Sequence, residues 1–296
     1  MSKKLLFVYN PMAGKAQITG YLSKIIDTFT KAGYLVTARP TLGPGDGIEV
    51  IRELARSYDL VVCSGGDGTL SESVTGIMTL PPEERPPIGY IPAGSTNDFA
   101  STLGIAKDMA EAAEMIVSGI PLRCDIGAFN DKFFTYVAAF GAFTSVSYGT
   151  PQQVKNLLGH TAYLLEGIRQ VGSIKPYHLK IEVGETTIED DFLFGMVSNT
   201  VQVGGMKIPS DVAFSINDGL FEVLMVRAPK SVADIQGMIA EALRQEVASK
   251  SFLNFKAKKI RFISDSPMPW TLDGEFGGDC VDVTVENISK AIGIVV

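Results

Sequence analysis

Four times in its first hundred residues the chain repeats one pattern: an unbroken apolar run, a turn marked by Gly, Pro or Asn, then a stretch with helical spacing. The runs cover residues 5–9, 34–37, 60–63 and 88–91. Short continuous apolar runs predict strands buried on both faces, and the spacing of Leu22, Ile25, Ile26 and Phe29, then of Ile48, Ile51, Leu54 and Ala55, predicts helices between them. The alternation predicts a parallel sheet covered by helices. The turns at residues 10, 41, 65 and 94 then emerge on one sheet edge, where such sheets bind their ligands.

The third turn, Ser64-Gly65-Gly66-Asp67-Gly68-Thr69-Leu70, is the most informative. Its glycines let the main chain approach a ligand closely, and the unpaired N–H groups opening the next helix face any bound anion. Asp67 complicates a plain phosphate site. A carboxylate repels phosphate unless a divalent cation bridges them or the acid handles a proton, which points to metal-assisted phosphoryl chemistry. The blander reading is a glycine-rich turn with Asp67 as helix cap.

After a helical stretch through Met109, Ala113, Ile116 and Val117, the pattern changes near residue 125. Strands are predicted at 122–128 and 133–139 around an Asn130-Asp131 turn, at 177–183, 192–197, 220–227, 257–263 and 281–285, with helices only around 162–171 and 231–248. The fold class predicted is α/β: an N-terminal parallel-sheet α/β nucleotide-binding domain and a mostly antiparallel β C-terminal domain, with the active site in the cleft between them. Residues 1–125 and the apolar tail, about 287–296, form the first domain and 126–286 the second.

Against 33 Asp and Glu stand 26 Lys and Arg, a net charge of −7 that opposes generic binding to nucleic acid or anionic membranes. Three isolated cysteines and two histidines offer neither a disulfide framework nor a zinc site. No apolar stretch approaches the ~18 residues of a membrane span, so a cytoplasmic location is expected, with transient visits to the inner membrane surface if the substrate is a lipid.

The motifs Asn10-Pro-Met-Ala-Gly14, Gly65-Gly-Asp-Gly-Thr69, Pro92-Ala-Gly-Ser-Thr-Asn-Asp98, Asn217-Asp-Gly-Leu220 and Leu272-Asp-Gly-Glu275 together resemble the soluble diacylglycerol kinase and sphingosine kinase superfamily, the bacterial lipid kinases in particular. The resemblance covers nearly the whole chain, in order. It implies ATP and Mg²⁺ at the first domain's edge and a lipid hydroxyl presented by the second. Position by position it implies nucleotide contacts at Asn10, Pro11, Met12, Ala13, Gly14, Thr41, Gly65, Gly66, Asp67, Gly68, Thr69, Leu70, Ser71, Glu72 and Ser95, with Lys15 as a charge partner. It assigns Asp273 and Glu275 to catalysis alongside Asp67, and a structural magnesium loop to Asp218, Ser215 and Leu220. Many members carry Asp where Asn217 stands.

Phosphoryl transfer to an alcohol needs a base, for which Glu275 is the choice, with Asp273 orienting metal or hydroxyl; the reverse assignment stays open. So does the reading of Asp273-Gly274 as a hairpin turn chosen for backbone geometry. Withdrawing a lipid with ten methylenes from a bilayer costs about 8 kcal/mol, which an apolar groove must offset. Phe140, Phe143, Leu157, Leu158, Val201, Val203 and Met206 are candidates for it, and Lys155, Arg169, Lys175 and Lys207 for local positive charge. A soluble substrate of the NAD kinase type, a non-catalytic nucleotide-binding module and homodimer formation also stay open.

Overall fold

The computed structural model describes residues 2–141, 175–200, 202–203, 206–207, 215–243 and 249–296. The four apolar runs form β1 (Lys3–Tyr9), β2 (Tyr34–Pro40), β3 (Leu60–Gly65) and β4 (Ile88–Pro92). Between and after them lie α1 (Ala13–Ala16), α2 (Ile18–Lys31), α3 (Asp46–Leu54), α4 (Asp67–Met78), α5 (Asp98–Leu103) and α6 (Met109–Ser118). β1 pairs in parallel with β2 and β3, and β3 with β4. Every residue of β3 and β4 is buried, which explains unbroken apolar runs where a half-exposed strand would alternate.

The rest of the chain contributes β5 (Pro121–Phe129), β6 (Lys132–Phe134), β7 (Val137–Gly141), β8 (Tyr177–Val183), β9 (Thr186–Ser198), the short pair β10 (Gln202–Val203) and β11 (Met206–Lys207), β12 (Phe221–Arg227), helix α7 (Val232–Leu243), β13 (Phe252–Ala257), β14 (Lys259–Leu272) and β15 (Glu275–Val295). Apart from β10 and β11, these strands join the first four in one hydrogen-bonded sheet, in the order β13-β12-β9-β7-β14-β15-β4-β3-β1-β2, with β5, β6 and β8 off this path. The parallel sheet expected as a separate unit is therefore one end of a larger mixed sheet in which antiparallel pairing prevails. The join is β15, whose 21 residues merge two runs expected separately. Its first half pairs antiparallel with β14, and its Ile294 meets Ile88 of β4 in parallel.

Residues 133–139, expected as one strand, divide into β6 and β7 because the Asp273 carboxylate takes the amides of Thr135, Tyr136 and Val137 that a continuous ladder would use. Likewise the run expected at 257–263 straddles the end of β13 and the start of β14. The helix expected at 162–171 lies outside the described residues, as do positions 244–248 of the one expected at 231–248.

Two apolar cores flank this sheet. One gathers the strands and helices of the first half, and Ala291, Ile292, Ile294 and Val295 of β15 sit in it. The other is built on Trp270, whose ring meets Phe129, Phe140 and Phe262 edge-on at 4.9 to 5.3 Å between centroids. β7 serves both through the two-residue period of a strand: Val137 and Ala139 face the first core, Ala138 and Phe140 the second.

Phe140, a candidate for the lipid-facing surface, is thus fully buried against Trp270 and cannot line an open groove. Lys175 is exposed. Phe143, Lys155, Leu157, Leu158, Arg169 and Val201, with the side chains of Val203, Met206 and Lys207, lie outside the described residues. Phe140→Ala is expected to destabilise the fold by about 3 to 5 kcal/mol, measured by urea unfolding, while leaving ATP affinity unchanged. A loss under about 1 kcal/mol would show that Phe140 is no core residue.

Candidate active site

The turns after β1, β3 and β4 are stitched to one another through the backbone. Asn10 N donates to Ser64 O at 2.9 Å, Ala93 N to Gly65 O at 2.7 Å, and the turn after β2 joins through Thr41 N to Tyr9 O at 2.9 Å. Glycine is required where the turns touch. A Cβ on Gly94 would lie 2.6 Å from Gly66 Cα, and one on Gly14, at φ +55°, would lie 2.0 Å from Ala93 O. Behind them the hydroxyl of buried Tyr90 donates toward Gly65 O and Asn97 Oδ1, both at 3.2 Å. Asn97 in turn closes its own loop through Gly94 N at 3.0 Å and Gly94 O at 2.8 Å.

This stitching brings the starts of α4 and α5 side by side, each opening with a carboxylate. Asp98 N donates to Asp67 Oδ2 at 3.3 Å, while Asp67 Oδ1 is buried with no hydrogen-bond partner among the described residues. Burial first, and then the negative charge of Asp98, push the Asp67 carboxyl up to about 6, against a pull downward from the amides of Asp98 and Phe99. An orphaned carboxylate oxygen beside a second acid and two helix starts suits one divalent cation and the phosphates it accompanies. Among the described residues no cluster of three or more His, Cys, Asp or Glu side chains could hold a metal, so phosphate oxygens and water must complete its shell.

Opposite these turns stands the hairpin between β14 and β15. Asp273 and Gly274 have φ +51° and +87°, with Leu272 paired to Glu275, so the turn is of the two-residue kind that needs positive φ at both positions. The hairpin reading of Asp273-Gly274 therefore holds, and the turn lies on the side of α4 where Asp67 stands. Buried Asp273 accepts from Thr135 N at 2.7 Å, Tyr136 N at 2.9 Å and Val137 N at 3.1 Å, and Ser71 of α4 also hydrogen-bonds its side chain. Burial still holds its carboxyl above the ordinary value despite those donors. Two residues on, exposed Glu275 brings Oε1 to 3.7 Å from where a Gly68 side chain would begin. The acids at 67, 273 and 275 thus converge from two ends of the sequence.

Several residues expected to touch nucleotide have other work. Leu70 is fully buried and spends its N–H on Gly66 O, so it faces the core. Glu72 accepts from Gly45 N at 2.7 Å and Gly47 N at 3.2 Å, tying α4 to the start of α3 and so supporting the Thr41 turn. Thr69 packs against Gly65, where a Cβ would come within 2.1 Å of its hydroxyl. Asn10 accepts from Met12 N at 2.9 Å, shaping the turn through Pro11, Ala13 and Gly14. Met12 and Ser95 are exposed at the rim; the Lys15 side chain lies outside the described residues. Tyr90, Asn97 and Asp98 were missed as site residues. The signal for Tyr90 was a lone hydroxyl within an apolar strand, which when buried demands a partner.

The loop 215–220 lies elsewhere, against β5 and β13. Leu220 N donates to Asp218 Oδ1 at 3.0 Å, Lys256 Nζ stands 3.1 Å from Asp218 Oδ2, and Ser215 Oγ donates to Asn217 Oδ1 at 3.1 Å. Both Asp218 oxygens already have protein donors, one of them an ammonium, so the carboxylate that was assigned to the magnesium loop with the carbonyls of Ser215 and Leu220 is engaged within the chain.

Comparison with known proteins accords with this geometry. Residues 4–129 match the family described as diacylglycerol kinase catalytic domain, and 141–296 match the YegS C-terminal NAD kinase beta sandwich-like domain. The chain is 34% identical over 280 residues to a diacylglycerol kinase of Bacillus subtilis, covering 93% of this chain and 91% of the relative. It is 33% identical over 281 residues to one of Staphylococcus aureus, covering 94% and 88%. Among solved structures, a candidate diacylglycerol kinase of Bacillus anthracis superposes with a TM-score of 0.83 at 27% identity, covering 99% of this chain and 97% of that one.

The raised Asp67 carboxyl has a measurable sign. Between about pH 4 and pH 6 the native state keeps a proton that the unfolded chain has released, so the metal-free protein loses stability as pH rises through that window, on the order of 2 to 3 kcal/mol. Asp67→Asn removes this loss. The check is the change in urea midpoint from pH 4 to pH 7 in both proteins; equal changes would exclude a raised Asp67.

Proposed function

The chain belongs to the diacylglycerol kinase family and is a kinase that uses ATP; from that premise we propose that it transfers the γ-phosphate of ATP to the hydroxyl of a membrane-derived lipid such as diacylglycerol. We also propose its working division: residues 1–125 with 287–296 hold the nucleotide, and 126–286 present the lipid. The observation that carries the reading is the approach of Glu275 to Gly68, which sets a carboxylate beside the turn suited to phosphate.

In this reading the first-turn amides of α4 receive phosphate oxygens, and the close-packed glycines at 14, 66 and 94 let the main chain approach without side chains intervening. Asp67 and Asp98 at the helix starts are the residues that would hold Mg²⁺, which would neutralise triphosphate charge. Glu275, exposed and unencumbered by the hydrogen bonds that fix Asp273, accepts the proton of the attacking hydroxyl. Asp273, with three backbone donors and Ser71 around it, is given the supporting role of holding the hairpin and orienting the site. The lipid carries no charge to be matched, so its recognition falls to apolar surface of the second half at a membrane face. Among the described residues no helix is long and apolar enough to cross a membrane, so the protein visits that face as a peripheral partner.

Two measurements test this. With labelled ATP, Mg²⁺ and diacylglycerol in mixed micelles, label is expected in the organic phase; label confined to water, or found on NAD, would favour a soluble substrate. Glu275→Gln is expected to lower kcat by roughly 10² to 10⁴ with ATP affinity unchanged, and unchanged turnover would remove Glu275 as the base.

A further inference from the structure

Asp218 in the 215–220 turn and Glu222 just beyond it in β12 place two carboxylates close together, and such a pair needs a counter-charge that the chain itself supplies. β12 and β13 pair antiparallel with Lys256 directly opposite Glu222, and Asp218 lies in the turn leading into β12. The Lys256 ammonium bridges the two acids, 3.1 Å from Asp218 Oδ2 and 2.9 Å from Glu222 Oε1. All three side chains are at least two-thirds buried, so the pairing is screened far less than a surface ion pair. Asn217 beside them is neutral, and its amide oxygen accepts from Ser215. One ammonium therefore faces two carboxylates. An aspartate at 217 would add a third, leaving charge for a divalent ion to meet.

We infer that Lys256 is the built-in cation of this turn, standing in for a divalent ion, so that this chain folds and holds residues 215–220 without metal there. The rest of the turn is likewise fastened by protein groups. Buried Asp125 on β5 accepts from Gly219 N and Lys290 N, each at 2.7 Å, and its own N–H donates to Ile216 O at 2.9 Å. The turn is thereby pinned to β5 and β15 on one side and to β13 on the other. A divalent ion placed on Asp218 would meet the ammonium already there and would have to displace it. This inference concerns the turn and stands apart from the reading of the active site.

The test uses the full-length Asp67→Asn protein as parent, without nucleotide, so that any metal response is not that of the phosphate site. Its melting temperature is expected to be the same in EDTA and in millimolar Mg²⁺. Adding Lys256→Met should lower melting in EDTA by roughly 5 °C, because two partly buried carboxylates lose their counter-charge, and Mg²⁺ should restore most of that loss. Asp218→Asn on top should abolish the rescue, whereas Lys256→Arg should keep metal-independent melting. A saturable Mg²⁺ stabilisation of the parent that Asp218→Asn removes would overturn the inference. So would a Lys256→Met protein that melts like its parent or gains nothing from Mg²⁺. Should Lys256→Met fail to fold, the parent with and without Asp218→Asn decides alone.

Discussion

The structure depends on the backbone continuity of β15. That strand begins at Glu275 beside the Gly68 turn, pairs along β14 over the second core, and ends with Ile294 against β4 over the first. Because every ladder bond fixes register in steps of one residue, the height of Glu275 above the phosphate turn is set by hydrogen bonds along the whole strand. No flexible linker intervenes between the two cores at this point. Glu275 and the Gly68 turn are thus held by one sheet, with Arg85 bonding both Met78 O at the end of α4 and Ala291 O of β15.

Within that frame the acids divide the labour by how many donors surround them. Asp273 is saturated by backbone amides and serves geometry, splitting β6 from β7 as it does so. Asp67 is buried with one oxygen unanswered, which costs stability in the isolated protein and leaves a site primed for positive charge. Glu275 stays exposed at the start of β15. The carboxylates at 67, 273 and 275 therefore sit in three different environments.

Much of this was legible beforehand, for physical reasons that differ by element. The buried strands β1, β3 and β4 announced themselves because burial on both faces leaves no polar residue to interrupt them, and α2 and α3 followed from apolar spacing. The turns gathered at this edge were readable because only glycine fits where Gly14 and Gly94 crowd other backbone. What sequence could not supply was anything depending on partners far along the chain. Nothing local marks the single sheet through β15, the break at Thr135 caused by Asp273, or the burial of Phe140 behind Trp270. Leu70 and Glu72 were grouped with the nucleotide contacts because they share its motif, yet one faces the core and the other caps α3.

The contrast between the two sites where metal was expected follows from the same distinction. Local motif sets which acids are available, but the strand opposite decides what answers them. Around Asp67 the start of α5 and the 273–275 hairpin bring further acid, in Asp98 and Asp273. At Asp218 the register of β12 against β13 delivers Lys256, so the Asp218 carboxylate has an ammonium partner from within the chain. Two Asp-Gly turns, at 67–68 and 218–219, thus come to different surroundings once the pairing of the sheet is fixed.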